Sequence, residues 1–176
     1  MRYAQIREVD IANGPGIRVS LYTQGCHRHC PFCFNQETWD FNGGKAFTSE
    51  LEDVLIKLIN KPHIAGFTLL GGEPFEEENR DDILELLKHI KKECPTKSIW
   101  VYSSFLYEEI MEWKQPLLDY VDVLVDGPFV NELKDANLKF RGSSNQRIID
   151  VPESLKRHEV VLYKDLNVNR EFQKHE

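Results

Sequence analysis

Apolar positions recur along this chain in two rhythms, and the switch between them predicts its elements. Residues 17–23 (IRVSLYT) are rich in β-formers and nearly alternate, so they read as a strand behind an Asn13-Gly14-Pro15-Gly16 turn. Across 48–60 the period lengthens. Leu51, Val54, Leu55, Leu58 and Ile59 share one helical face, Ser49 with Glu52 fits a capping box, and Pro62 closes the segment. Residues 66–70 form a short apolar strand that ends in Gly71-Gly72-Glu73-Pro74. A second helix is predicted over 79–92, with Ile83, Leu84, Leu86, Leu87 and Ile90 inward and lysines at its C-terminal end. Further strands are predicted at 98–102, 121–125 and 147–151, with a short helix at 107–113.

Strand and helix therefore alternate, and the strands are apolar enough to be covered on both faces. That pattern predicts an α/β protein with a mostly parallel sheet. A chain of 176 residues suits a single domain. It is too short for a full eight-unit barrel of about 250 residues, so a partial, open β/α barrel of about five or six strands is expected. Residues 1–151 would make the domain and 152–176 a polar, charge-mixed tail, helical or partly disordered. Ligands of such sheets bind beyond the carboxyl ends of the strands. The unusual clusters of this sequence all fall there: the cysteines after residue 23, Gly71-Gly72-Glu73-Pro74, Ser103-Ser104 and Asp126-Gly127.

Composition narrows the function more by exclusion. A net charge of −7 argues against a protein whose main task is to neutralise nucleic-acid phosphates. No window reaches the ~20 consecutive apolar residues of a membrane span. Residues 1–10 carry Arg2, Arg7, Glu8 and Asp10 and lack the apolar core of a secretory signal, which makes the cytoplasm the expected location.

Of four cysteines, Cys26, Cys30 and Cys33 fall within eight residues. A disulfide framework would spread its cysteines to close large loops, so the clustering points to a metal or cluster site. Thiolates are the usual ligands of iron–sulfur clusters, and three of them leave one iron of a cubane open. The spacing also admits a zinc site completed by His27 or His29 in a non-catalytic interaction module, although no second ligand arm is evident. Cys94, beside Pro95 at a predicted helix end, reads as a small, partly buried residue.

The run Cys26-x3-Cys30-x2-Cys33, with Phe32 before the last cysteine, resembles the signature of the radical S-adenosylmethionine superfamily. More closely, the chain resembles the activating enzymes of anaerobic (class III) ribonucleoside-triphosphate reductase. The likeness runs through Val9-Asp10-Ile11, Asn13-Gly14-Pro15-Gly16, Cys26 to Asn35, Thr38-Trp39, Gly71-Gly72-Glu73-Pro74, Val125-Asp126-Gly127 and Arg141-Gly142-Ser143-Ser144-Asn145-Gln146.

The resemblance implies a 4Fe–4S cluster on Cys26, Cys30 and Cys33, with the methionine part of S-adenosylmethionine chelating the open iron. Phe32, Cys33 and Phe34 would flank the cofactor, Gly71, Gly72 and Glu73 would receive its ammonium group, and Ser103 and Asp126 would complete the pocket. Arg141, Ser143, Ser144, Asn145 and Gln146 would contact cofactor or partner. Reductive cleavage would give a 5′-deoxyadenosyl radical that takes hydrogen from a glycine of the reductase, with flavodoxin or a similar protein as electron donor. A homodimer is compatible with the family. Activases of other glycyl-radical enzymes, such as the pyruvate formate-lyase type, are the nearest alternative, but tend to be longer and to carry extra cysteine clusters. Glu73 stands where these relatives commonly have Asp, and Pro128 where some have Lys.

Overall fold

The computed structural model describes residues 1–164 and 166. One sheet of seven strands runs in the order β3-β1-β2-β4-β5-β6-β7. Its centre is parallel: β2 (Arg18–Thr23), β4 (Gly66–Gly71), β5 (Ser98–Ser103) and β6 (Val123–Asp126). Antiparallel strands flank it, β1 (Arg2–Asp10) with β3 (Lys45–Ala46) on one side and β7 (Arg147–Asp150) on the other. The expected count of about five or six strands is thus too low. β1 escaped the pattern because its charged residues mask the alternation, and its ladder is interrupted by register shifts.

The register explains why the sheet is held so firmly. Leu21, Leu69, Val101, Leu124 and Ile149 lie side by side across five strands, all fully buried. They pack on α1 (Ser49–Ile59) and α2 (Arg80–Glu93) in one cluster with Leu55, Ile59, Ile83, Leu87 and Ile90. Each such side chain removed from water contributes about 1.5–3 kcal/mol. The neighbouring row points the other way, because side chains alternate along a strand. It holds Ser20, Thr68, Trp100 and Val123, and this second face buries polar groups that the first does not.

Arg18 shows how that face is managed. Fully buried, it donates from Nε to Thr68 Oγ1 at 2.8 Å, from Nη1 to Pro15 O at 3.2 Å and Ser98 Oγ at 3.0 Å, and from Nη2 to Phe67 O at 3.0 Å and Ser98 O at 2.9 Å. Burial lowers its affinity for the proton, to a pKa of about 10, so it is still charged at neutral pH. One guanidinium thereby joins the 13–16 turn to β4 and β5.

Local details depart from the sequence pattern in instructive ways. The α1 cap is Thr48, whose Oγ1 accepts from Leu51 N at 3.2 Å, so the Ser49–Glu52 box does not form. Ile56 joins the buried face of α1 while Val54 stays exposed, a rotation of the predicted stripe. α3 (Tyr107–Ile110) is shorter than predicted. The expected tail begins with α4 (Val151–Arg157), capped by Asp150, and ends in the left-handed residue His158. The chain then returns to β7, where Tyr163 N donates to Ile148 O at 2.8 Å. The rest of the tail call, at 165 and 167–176, lies outside the described residues. No helix among the described residues is long and apolar enough to cross a membrane.

Candidate functional site

The cysteine loop springs from the carboxyl end of β2 and returns to it. Gly25 N donates to Thr38 O at 2.7 Å and Cys26 N to Trp39 O at 3.1 Å, which closes the neck of a loop holding all three clustered cysteines. The strand-end glycines of β4 press against that neck. Gly72 N donates to Thr23 O at 3.0 Å and Glu73 N to Gly25 O at 2.9 Å. A Cβ at Gly72 would lie 2.5 Å from Gly25 O and 2.7 Å from Thr38 O, so only glycine fits between the two sides of the neck. Gly71, at φ +122°, would drive a Cβ to 2.4 Å from Thr23 N.

Inside the loop, His29 and Phe32 adopt left-handed backbone at φ 48° and 61°. Both sit one residue before a cysteine, Cys30 and Cys33. Such conformations are uncommon for non-glycine residues and cluster at functional sites. Cys33 N donates to Cys30 O at 3.2 Å, and Asn35 N points at Cys33 Sγ at 3.4 Å. Burial pushes the Cys26 thiol up, opposed by backbone hydrogen bonds from His29 and Arg28. Burial likewise raises Cys30, opposed by a backbone hydrogen bond from Phe129. Backbone N–H groups aimed at the sulfurs are what thiolate ligands of a cluster require. All four cysteines are free, and Cys94 lies apart in the hydrophobic core.

Cys26, Cys30 and Cys33 all line a cavity of about 460 Å³. Gly71, Gly72, Glu73, Ser103, Phe34, Arg141 and Gln146 share its wall, so most of the sequence-predicted residues meet at one place. Others do not. Phe32 is 70% exposed and outside the lining, whereas Phe34 lines the cavity and packs on Phe129 at 5.0 Å between ring centroids. Asp126 is fully buried away from the cavity. Its carboxylate accepts from Tyr107 N at 2.8 Å and pairs with Arg147 at 2.6 Å, which fixes the start of α3 to β7.

Glu73 and Ser103 are committed to each other rather than left open. The fully buried Glu73 carboxylate accepts from Phe75 N and Ser103 Oγ, each at 2.9 Å, from Ser104 Oγ at 2.7 Å, and from Ser104 N. Burial raises its pKa above the usual carboxylate range, against the pull of those donors. The side chain therefore ties the ends of β4 and β5 together.

The 141–146 run is a self-tied loop. Gln146 Oε1 accepts from Gly142 N at 2.9 Å and Ser143 N at 3.1 Å, while its Nε2 donates to Gly127 O at 3.2 Å. Asn145 Nδ2 donates to Pro128 O at 2.8 Å, and Ser143 Oγ accepts from Val130 N at 3.2 Å. Ser143, Ser144 and Asn145 thus brace the loop without lining the cavity. Lining residues that sequence reasoning missed include Tyr22, Tyr102, Asn13 and Asn35. The two tyrosines share the face opposite the apolar row, one position along from Leu21 and Val101, and strand parity could have found them.

The histidines are spoken for elsewhere. His27 Nε2 meets Glu78 at 2.8 Å on the surface, and the His29 ring stacks on Trp39 at 4.4 Å. Among the described residues, His27, Glu76 and Glu78 bring ligand atoms within 4.8 Å of one another, a group that includes none of the cysteines. This disfavours a zinc site shared by His27 and the three thiols.

Comparison with known proteins gives the class. The family described as a 4Fe-4S single cluster domain matches residues 12–149. Two anaerobic ribonucleoside-triphosphate reductase-activating proteins, from Salmonella typhimurium and Escherichia coli, are 46% and 45% identical over 148 residues, 83% of this chain and 96% of theirs. A protein of the same name from Enterobacteria phage T4 is 36% identical over 159 residues, 90% of this chain and all of its own length. The chain belongs to the family of anaerobic ribonucleoside-triphosphate reductase-activating proteins.

Proposed function

We propose that this chain is a radical S-adenosylmethionine enzyme that generates the glycyl radical of an anaerobic ribonucleoside-triphosphate reductase. The observation that carries the reading is the convergence of three free thiols and the glycine-rich end of β4 on one cavity. Cys26, Cys30 and Cys33 would ligate a 4Fe–4S cluster, and backbone N–H groups beside Cys26 and Cys30 oppose the upward push of burial on those two thiols. When bound, such a cluster would supply the single electron, taken from an external donor, for reductive cleavage of S-adenosylmethionine, the chemistry needed to make a glycyl radical on the partner.

The protein's own part is positioning and exclusion of water. Gly71 and Gly72 let the end of β4 pack directly against the neck of the cysteine loop, and Glu73 fixes the strand ends on which a ligand would rest. Phe34 and Phe129 wall the cavity beside Cys33. The relatives' name supports the reductase as partner, and a flavodoxin-like protein fits as the one-electron donor. A sheet curled as a partial barrel would present the cavity to an inserted glycine loop.

The test is anaerobic reconstitution with iron and sulfide, followed by dithionite reduction and assay of 5′-deoxyadenosine and methionine. Wild type and Cys94→Ala should give product, while Cys30→Ala should give neither stable cluster nor product. Adding the reductase should then produce a glycyl radical by electron paramagnetic resonance. Product formation by Cys30→Ala at the wild-type rate, or a competent cluster without a glycyl radical on the reductase, would overturn the proposal.

A further inference from the structure

Asn13 and Tyr22 belong to a hydrogen-bond network that is closed at one end and open at the other. The closed end is Asp10, which is 3% exposed. Its carboxylate accepts from Ser20 Oγ at 2.5 Å, from Asn13 Nδ2 at 2.8 Å and from Ala12 N at 2.9 Å. Burial pushes this carboxyl up, but the three donors outweigh it and hold the pKa below its usual value, so the group is ionised at neutral pH. A carboxylate only accepts, and this settles which way the Asn13 amide faces, with Nδ2 toward Asp10. The second hydrogen of Nδ2 goes to the Tyr22 hydroxyl oxygen at 3.3 Å.

Two groups are left over at the open end. Asn13 Oδ1 has no hydrogen-bond partner among the described residues, and it is not closed off from water. The Tyr22 oxygen accepts from Asn13, so its own proton needs an acceptor, and none is present among the described residues. Burial raises the Tyr22 pKa, which keeps that proton in place at neutral pH. The Arg7 guanidinium lies over the ring at 4.9 Å. Asn13 and Tyr22 line the cavity together with Arg7 and Ala12, and these last two are exposed, so the cavity opens to solvent on this side. An oriented acceptor beside an oriented donor is the complement of polypeptide backbone. In an extended chain the N–H and C=O of one residue point the same way, which is how paired antiparallel residues exchange two hydrogen bonds. Glycine offers nothing else to recognise, because it has no side chain.

We infer that Asn13 Oδ1 and the Tyr22 hydroxyl are the receptor for the protein substrate's backbone at the glycine that is to carry the radical, Oδ1 accepting its N–H and the phenol donating to its C=O. This deepens the proposed function and rests on it. Asn13 and Tyr22 are then binding residues that hold the two groups on either side of the reacting Cα. Asp10 is a positioning residue that acts through the Asn13 amide, and Ser20 and Ala12 keep its carboxylate in place.

The experiment compares cluster-loaded Y22F and N13A with wild type in two reactions. One is activation of the full-length reductase, read as glycyl radical by electron paramagnetic resonance against reductase concentration. The other is formation of 5′-deoxyadenosine without the reductase. Each variant should raise the reductase concentration needed for half-maximal activation by about 2- to 10-fold, the worth of one neutral hydrogen bond. Each should also yield fewer glycyl radicals per 5′-deoxyadenosine, while the reductase-free reaction changes by less than that factor. Equal changes in the two reactions would assign the pair to the cofactor and overturn the inference, as would wild-type activation of the reductase by both variants. N13A also takes a donor from Asp10; should it fail to load its cluster, Y22F, which removes a single oxygen, decides alone. Wild-type protein that forms 5′-deoxyadenosine but no glycyl radical on the reductase would instead sink the proposed function, and this inference with it.

Discussion

Gly72→Ala tests whether the neck of the cysteine loop is set by backbone contact. The new Cβ would sit 2.5 Å from Gly25 O, 2.7 Å from Thr38 O and 3.0 Å from Gly25 C. Ordinary carbon–oxygen contacts begin near about 3.3 Å, so each carbonyl must retreat by roughly 0.6–0.8 Å. Neither is free to do so. Gly25 O accepts from Glu73 N at 2.9 Å, and Thr38 O accepts from Gly25 N at 2.7 Å. Weakening both bonds costs about 0.5–1.5 kcal/mol each, and overpacking adds about 1–3 kcal/mol. A total of about 2–6 kcal/mol is below the stability of most domains, which runs to about 15 kcal/mol, so the variant should still fold.

The damage should be concentrated where the three cysteines are held in register. Iron and sulfide content after reconstitution should fall steeply in Gly72→Ala, with a smaller shift in the urea midpoint of the cluster-free protein. Gly127→Ala is the matched control. Its Cβ would meet nothing closer than 3.7 Å, although φ is +102°. It should lose about 1–3 kcal/mol from backbone strain alone and load its cluster normally. A Gly72→Ala protein with wild-type midpoint and wild-type iron content would refute the close-approach argument.

Two further outcomes follow from buried polar groups. Arg18→Lys offers three donors where five hydrogen bonds now form, so at least two contacts go unmet and urea denaturation should show a loss of about 2–4 kcal/mol; a change below about 0.5 kcal/mol would contradict the role given to Arg18. Burial raises the Glu73 pKa above its ordinary 4.5, so folding favours the protonated form and the stability from this group is lost as pH rises from 4.5 through the folded value. The stability of wild type relative to Glu73→Gln should therefore shrink over that window in denaturation curves, and a gap that widens would reverse the assigned direction.

The parallel centre of the sheet was legible because its strands are short, apolar and bounded by glycines or turn residues. β2, β4, β5 and β6 each start or end within two residues of the sequence pattern. β1 was not legible: its place in the sheet comes from pairing to β2, a tertiary effect that its charged sequence hides. The site followed the same division. Cysteines and glycines announce themselves because few other residues can do their work. Asp126 was misplaced because the end of a strand says which end a residue occupies but not which partner its carboxylate finds, here Arg147 and the amide of Tyr107. Phe32 was misplaced because a left-handed backbone turned it outward, a conformation that sequence gives no sign of at phenylalanine.

Strand parity unites the fold and the site. On the central strands, Val19, Leu21, Phe67, Leu69, Ile99, Val101 and Leu124 belong to the face that binds the helices. The alternate positions carry Arg18, Ser20, Tyr22, Thr68, Trp100 and Tyr102, a face too polar to be a simple core. A sheet can tolerate such a face only if its polar groups find partners, and they do so in sequence along the strands. Near the amino ends Arg18 gathers Thr68, Ser98 and Pro15 into a closed network. Toward the carboxyl ends Tyr22 and Tyr102 line the cavity instead. The same pleat that fixes the hydrophobic core thus delivers a polar wall to the cavity that the three clustered cysteines also line.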